Sequence, residues 1–218
     1  MMRKYKTTWV KKLSLHEEKK IAFIYVPKNA SESFRAILGK QGFRNRVSFN
    51  HVAETVRESF KFAVLRNPID RYVSAYLEGS KKEFKQMEGS LTLDEHWDRF
   101  VRLIPKRGEG VWDEHLFPQY LHLIEKDGTP LVIDRFLFMD SLEEDWRKLS
   151  SELGLSPDLL HIRRSPEELR WFLLGKLRLK DNREVRARID DFYQEDWELL
   201  SREFWKKQER EQWEKEPL

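Results

Sequence analysis

Ile21-Ala22-Phe23-Ile24-Tyr25-Val26-Pro27-Lys28-Asn29-Ala30-Ser31-Glu32-Ser33-Phe34 is the stretch whose reading decides the fold. Its first six residues are apolar or aromatic without a break, the pattern of a strand buried on both faces of a parallel sheet. Pro27 ends the run, a lysine and small hydroxylated residues follow, and Phe34-Arg35-Ala36-Ile37-Leu38 has helical spacing. Strand, tight polar loop and helix together make an anion cradle. Loop N–H groups and the helix N-terminus face a phosphate, and the lysine adds a mobile charge. This is not a Walker A loop, because Gly-x4-Gly-Lys-Ser/Thr is absent and the loop holds no glycine. A plain buried strand ending in a polar turn has the same local pattern, so a second site is needed to choose.

The chain has 218 residues, enough for one sizeable core in one domain. Charged residues make up 36% and aromatics 13%, which describes a globular chain with a heavily charged surface. No apolar stretch reaches the length that spans a bilayer, so membrane insertion is not expected. The basic segment from Met1 to Lys12 has no apolar run behind it, unlike a secretory signal, and a cytoplasmic location is the expectation. With no cysteine there is neither a disulfide nor a thiolate ligand. His16, His96 and His122 have no partners at ligand spacing, so no metal site is expected. A net charge of +3 does not argue for general nucleic-acid binding, and no nucleic acid is expected as a partner, although local basic clusters could serve an anionic ligand.

Along the chain, residues 1–20 read as a basic lead-in, 21–205 as the domain and 206–218 as a charged tail. Arg46–Phe49 is expected as a short strand, and Asn50 as the cap of a helix through Val52, Ala53 and Val56. Phe60–Leu65 is the second strong strand. It ends in the charged turn Arg66-Asn67-Pro68, after which Asp70 is expected to cap a helix carrying Tyr72, Val73, Tyr76 and Leu77 on one face. Residues 79–90 read as a loop, Leu93–Ile104 as a helix and Arg135–Met139 as a third strand. Leu142–Leu153 is an amphipathic helix that Gly154 can end. A long last helix carries Ile189, Phe192, Tyr193, Trp197, Leu200 and Phe204. Strands alternating with helices predict an α/β domain, three-layered and P-loop-like, with a central, mainly parallel sheet flanked by helices.

Two strands thus end in charged turns, and a parallel sheet opens both on its carboxyl edge. Lys28 with Ser31 and Ser33 suits one phosphate, and Arg66 with Ser74 two helical turns on suits another. Two separated phosphate sites predict a nucleotide phosphorylated at both ends of its ribose. A strand-end arginine at the surface and a helix-interior serine are the plainer alternatives. A nucleotide kinase is disfavoured by the missing Walker A glycines and by the lack of a carboxylate pair for magnesium.

These residues carry a family resemblance. Tyr25-Val26-Pro27-Lys28-Asn29-Ala30-Ser31-Glu32-Ser33-Phe34 resembles the 5′-phosphosulfate loop of sulfotransferases, and Phe62–Tyr76 is similar to their 3′-phosphate strand-turn-helix. Arg66-Asn67-Pro68, Arg71, Ser74 and Tyr76 all fall at family spacing. His161-Ile162-Arg163-Arg164-Ser165 and the segment around Phe192-Tyr193 resemble late segments of carbohydrate sulfotransferases, nearest in look to the uronyl 2-O-sulfotransferases.

The resemblance implies transfer of a sulfuryl group from 3′-phosphoadenosine 5′-phosphosulfate (PAPS) to a hydroxyl of a carbohydrate-like acceptor, with no metal. By the same resemblance, Lys28 contacts the bridging and 5′-phosphate oxygens. Asn29, Ala30, Ser31 and Ser33 supply donors to the 5′-phosphate, and Arg66 and Ser74 hold the 3′-phosphate. Arg164 and Ser165 sit on a loop closing over the nucleotide. His51 is the expected general base, placed where this branch carries a histidine, with Glu54 one turn on as the fallback. In the first turn of a helix His51 would be held neutral, as a base requires. Glu32 stands where the family has threonine or serine. A carboxylate there is repelled by phosphate unless it turns outward, is protonated or meets a cation. It motivates the competing reading of an inactive nucleotide-binding or scaffold protein of the same ancestry. His115 and Gln119 resemble a segment beside the acceptor groove, although packing is the expected role for both. Lys81, Lys82, Lys85, Arg99 and Arg102 read as a solvated face, or as a groove for an anionic sugar chain.

Overall fold

The computed structural model describes residues 12–48, 53–84, 91–107, 114–125, 127–159 and 167–213. Five strands form one sheet: β1 (Lys12–His16), β2 (Ile21–Ile24), β3 (Arg44–Ser48), β4 (Phe60–Leu65) and β5 (Arg135–Phe138), in the order β3-β1-β2-β4-β5. β2 pairs parallel with β4, and β4 with β5, whereas β1 is antiparallel to both its neighbours. It follows that β2, β3, β4 and β5 all run one way and β1 alone runs against them. The sheet is thus mixed, with two parallel and two antiparallel pairings, where a mainly parallel one was expected; the reversed β1 is the difference.

That reversed strand corrects the reading of residues 1–20 as a loose lead-in. Leu13, Ser14 and Leu15 are buried, and β1 lies between β2 and β3 rather than at an edge. Its apolar i, i+2 spacing is a strand signal only two residues deep, flanked by lysine and histidine.

Helices flank both faces, and strand alternation sets the partition. Ile21, Phe23, Phe62, Val64 and Leu137 point to one face. There they meet Phe34 and Leu38 of α1 (Ser31–Lys40), and Trp146 and Leu149 of α5 (Leu142–Glu152). Ala22, Ile24, Ala63, Leu65 and Phe138 point to the other. They meet Val56 of α2 (Ala53–Arg57) and Leu199 of α8 (Gln194–Trp213). A third core is wholly helical. It gathers α3 (Pro68–Phe84), α4 (Leu93–Arg102), α6 (Glu167–Arg178) and α7 (Arg183–Phe192) around Tyr72, Phe100, Leu173 and Tyr193.

Several boundaries differ from expectation for physical reasons. The helix after β4 continues to Phe84, through residues read as a loop; lysine and glutamate are good helix formers whatever their polarity. Asn67, not Asp70, caps it, its Oδ1 accepting from the N–H groups of Ile69 (3.0 Å) and Asp70 (3.3 Å). The last long helix is two, broken at Tyr193, and the second runs to Trp213, past the point where fraying was expected. Lys207 is one reason: its Nζ reaches Asp145 at 2.6 Å and Ser141 at 2.8 Å, tying the tail to the end of β5. Gly154 ends α5 with φ 61°, as expected, and Leu155 N–H returns to Ser150 carbonyl at 2.8 Å.

The sheet face under α1 and α5 is held by four packed rings. Phe23 and Phe34 lie 4.8 Å apart, Phe34 meets Trp146 edge-on at 5.0 Å, and Phe62 stacks on Trp146 at 5.9 Å. Trp146 is wholly buried and its Nε1 has no hydrogen-bond partner among the described residues. Trp146→Ala is expected to cost about 4 kcal/mol in urea unfolding. Trp146→Phe is expected to cost less than half of that, because it keeps ring contacts and removes an unsatisfied N–H. Equal losses in the two variants would show that the rings are not what holds this face.

Candidate active site

The loop from Tyr25 to Ala30 joins β2 to α1 at the carboxyl edge, next to the turn that ends β4. It does without glycine by placing two ordinary residues in the left-handed region, Lys28 at φ 69° and Ala30 at φ 57°. That conformation costs an L-residue about 1 kcal/mol or more, so the surroundings must enforce it. Those surroundings are a set of inward hydrogen bonds to three successive carbonyls. Val26 accepts from the Ser31 hydroxyl at 2.6 Å, Pro27 from Arg71 Nε at 3.2 Å, and Lys28 from Arg66 Nη1 at 2.9 Å. With its carbonyls turned inward, the loop leads into an α1 whose first N–H groups have no carbonyl behind them. Helical bonding starts with Phe34 N–H to Ala30 carbonyl at 3.0 Å, and no side chain caps the end. A helix N-terminus open to an anion is the result.

Below the loop lies a fully buried polar network. Asn29 Nδ2 donates to the Val64 carbonyl (2.7 Å) and to Gln119 Oε1 (2.8 Å). Gln119 brackets Arg66 as well, its Oε1 accepting from Arg66 N–H at 3.2 Å and its Nε2 donating to the Arg66 carbonyl at 2.9 Å. Asp196, at the start of α8, accepts from the backbone N–H groups of Gln119 (2.8 Å) and Tyr120 (2.9 Å). Arg71 is its buried counter-charge, and Tyr193 closes the set by donating to the Leu116 carbonyl at 2.7 Å. Asn29 and Gln119 are both wholly buried. Asn29 is expected to supply a loop donor to the 5′-phosphate, and its side-chain amide locks the loop onto β4. Gln119 has the packing role expected of it, and Pro118 separates it from His115 by starting a new 3-10 turn.

The charged residues of the two turns do come together. Arg66 is buried, and burial pulls its guanidinium down to about 10, against the raising effect of Asp70. Arg170 and Arg71 lie close enough to act in the same direction as burial, and Asp140 opposes them. Ser74 is buried on α3, two turns beyond. Lys28 Nζ lies 3.6 Å from Glu78 Oε2, with both side chains mostly covered. Glu32 does not face the cradle unopposed: its carboxylate pairs with Arg35 one turn along α1. Ser31 and Ser33 are half-buried in the first turn of α1, and Glu54 is exposed on α2. His51, Arg164 and Ser165 lie outside the described residues. Among the described residues no group of three histidine, aspartate or glutamate side chains is placed to hold a metal.

Sequence reasoning missed Glu78, Arg170, Arg71 as a loop holder and Asp196. Glu78 had a signal, standing four residues after Ser74 on the same helix face. Arg170 had none, since α6 was not anticipated.

The buried network carries a pH signature. Burial pushes the Asp196 carboxyl up from 3.8 to about 6, against the lowering pull of Arg71 and its two backbone donors. Between about pH 4 and 6 the folded chain holds a proton that the unfolded chain has released. This group's contribution to stability is therefore greatest below that window and declines as pH rises through it. Asp196→Asn, which cannot titrate, is expected to flatten that part of the melting-temperature profile. An unaltered profile between pH 4 and 6 would assign the titration elsewhere.

No curated protein and no solved structure matches the chain. A family model described as the sulfotransferase family matches residues 11–201, from the start of β1 into α8. The match takes in the loop, the Arg66 turn, α3 and the Asp196 anchor together, and the chain belongs to the sulfotransferase family.

Proposed function

We propose that the protein transfers a sulfuryl group from PAPS to a hydroxyl of a carbohydrate-like acceptor, on a three-layer, P-loop-like scaffold. The observation that carries this reading is the pairing of two cation sites at one sheet edge. Lys28 stands at an open helix N-terminus, and Arg66 lies across the loop from it with a guanidinium that burial strips of most of its water. A donor with anionic groups at both the 5′ and 3′ positions satisfies both sites, and a mononucleotide satisfies one.

In this reading the donor's 5′-phosphate lies against the N–H groups of Ala30–Ser33, with Ser31 fixing the loop through Val26. Lys28 neutralises the charge that grows on the leaving phosphate as the sulfur–oxygen bond breaks. Arg66 and Ser74 take the 3′-phosphate. The acceptor oxygen forms the new bond to sulfur from the opposite side, and its proton passes to His51 as general base. Arg164 and Ser165 close over the nucleotide. Glu32 does not oppose the donor as a bare charge would, because Arg35 supplies its counter-ion. That pairing supports the active reading over the inactive scaffold. The reaction runs in the cytoplasm and needs no metal.

Adenosine 3′,5′-bisphosphate is expected to raise the melting temperature well above the effect of AMP or ATP at equal concentration. Lys28→Ala is expected to abolish transfer of labelled sulfate from PAPS and to weaken bisphosphate binding. His51→Ala is expected to lower transfer by about 10²-fold or more while leaving binding intact. Absence of any thermal shift at saturating bisphosphate would sink the reading.

A further inference from the structure

Asp70, Ser74 and Glu78 follow one another at four-residue spacing, so they form a stripe along one face of α3. Both carboxylates of the stripe already hold cations of the site. Glu78 Oε2 meets Lys28 Nζ at 3.6 Å. Asp70 Oδ1 meets Arg170 Nη2 at 3.3 Å and lies within the field of Arg66. The Arg66 end is not closed off. The Nε atoms of Arg66 and Arg170 are buried and have no hydrogen-bond partner among the described residues, so each guanidinium retains an unused donor. Arg170 belongs to α6, far along the chain from either phosphate segment, and Asp70 brings it to the Arg66 end.

We infer that Glu78 and Asp70 are specificity-determining residues: internal stand-in anions that hold the cations at the two ends of the site until a ligand with two separated phosphates takes them over. The inference rests on the proposed reading of the site as a bisphosphorylated-nucleotide cradle, and adds Arg170 to it as a third cation at the Arg66 end. Its physical basis is simple. A cation cluster at a partly buried edge needs counter-charge when no ligand is present, and carboxylates one helix face apart supply it. An entering phosphate must then compete with a carboxylate already in place, and it wins by bringing more charge and more acceptor oxygens. A ligand with one phosphate relieves one end and leaves the other cations held by their carboxylate. Selectivity for the doubly phosphorylated donor therefore comes from the resident acids as well as from the cations. The Glu78 end is the more covered of the two, with Lys28 and Glu78 side chains at 16% and 21% exposure, against 32% and 27% for Arg170 and Asp70. Solvent screens the Asp70 end more, and its effect is the smaller.

Calorimetric titration of the full chain with three ligands separates the ends: adenosine 3′,5′-bisphosphate, adenosine 5′-monophosphate and adenosine 3′-monophosphate. Glu78→Gln is expected to tighten both ligands that carry a 5′-phosphate by about tenfold and to leave the 3′-monophosphate unchanged. Asp70→Asn is expected to tighten both ligands that carry a 3′-phosphate by about threefold and to leave the 5′-monophosphate unchanged. The Asn67 cap keeps α3 intact in the second variant, and Glu78→Asp, which retains the charge, is expected to bind like the wild type. Wild-type binding of the bisphosphate with no gain in either variant, or gains that ignore which phosphate the ligand carries, would overturn the inference while the proposed function stands. Binding of the bisphosphate by Glu78→Gln but not by the wild type would support both. Binding by none of the proteins would overturn the proposed function and this inference with it.

Discussion

Two arginine side chains are buried beneath a loop that contains no glycine, and the rest of the site depends on how they are compensated. Arg66 and Arg71 each donate to a loop carbonyl, Lys28 and Pro27 respectively, so the price of burying guanidinium groups is met partly by the backbone itself. The same two bonds give the loop its shape. A carbonyl pulled inward at Pro27 and another at Lys28 hold Lys28 in the left-handed region, which a lysine would leave if those bonds were absent. Phosphate loops elsewhere obtain this path from glycine. Here tertiary hydrogen bonds supply it, and the side chain of Lys28 is gained at the position where a glycine would offer none.

The second consequence runs through the fold. Asp196 opposes Arg71 and binds the backbone that carries Gln119, and Gln119 in turn brackets Arg66 and receives Asn29. The first loop of the domain is thus fastened by the start of its last helix. The break between α7 and α8 at Tyr193 belongs to this arrangement: it lets Tyr193 turn into the helical core and donate to Leu116 while Asp196, three residues on, enters the network. A continuous helix was the natural expectation from apolar spacing alone. Spacing cannot show that a wholly buried aspartate stands inside the pattern, because aspartate at a helix start is ordinarily a solvent-facing residue.

Legibility followed the same line. β2, β4 and β5 were readable because strands buried on both faces leave continuous apolar runs, and α1, α4 and α5 because one buried face leaves a period. β1 was not readable, since its burial rests on Leu13 and Leu15 alone and its polar Ser14 is satisfied by Tyr25 at 2.6 Å, a partner distant in sequence. α6 was missed although Leu169, Phe172, Leu173 and Leu177 have helical spacing, because the largely exposed Trp171 interrupts the apolar face. In the site, the convergence of the two charged turns was legible, since a parallel sheet opens both on one edge. The side-chain role of Asn29 was not legible, because its amide donates to Val64 and Gln119, contacts that only the folded chain brings together.

The charge arrangement also explains how a cation-rich edge persists in a protein whose net charge is only +3. Lys28, Arg66, Arg71 and Arg170 converge on it, and Glu78, Asp70, Asp140 and Asp196 face them. These carboxylates are not equivalent. Asp196 lies beneath the loop, buried with Arg71 and bonded to backbone, so its replacement breaks structure. Glu78 and Asp70 lie on α3 beside the cradle, paired to the side chains of Lys28 and Arg170. A site built this way separates the acid that holds the loop from the acids that can yield to an incoming anion. Its preference among ligands then depends on how much negative charge each can bring to both ends at once.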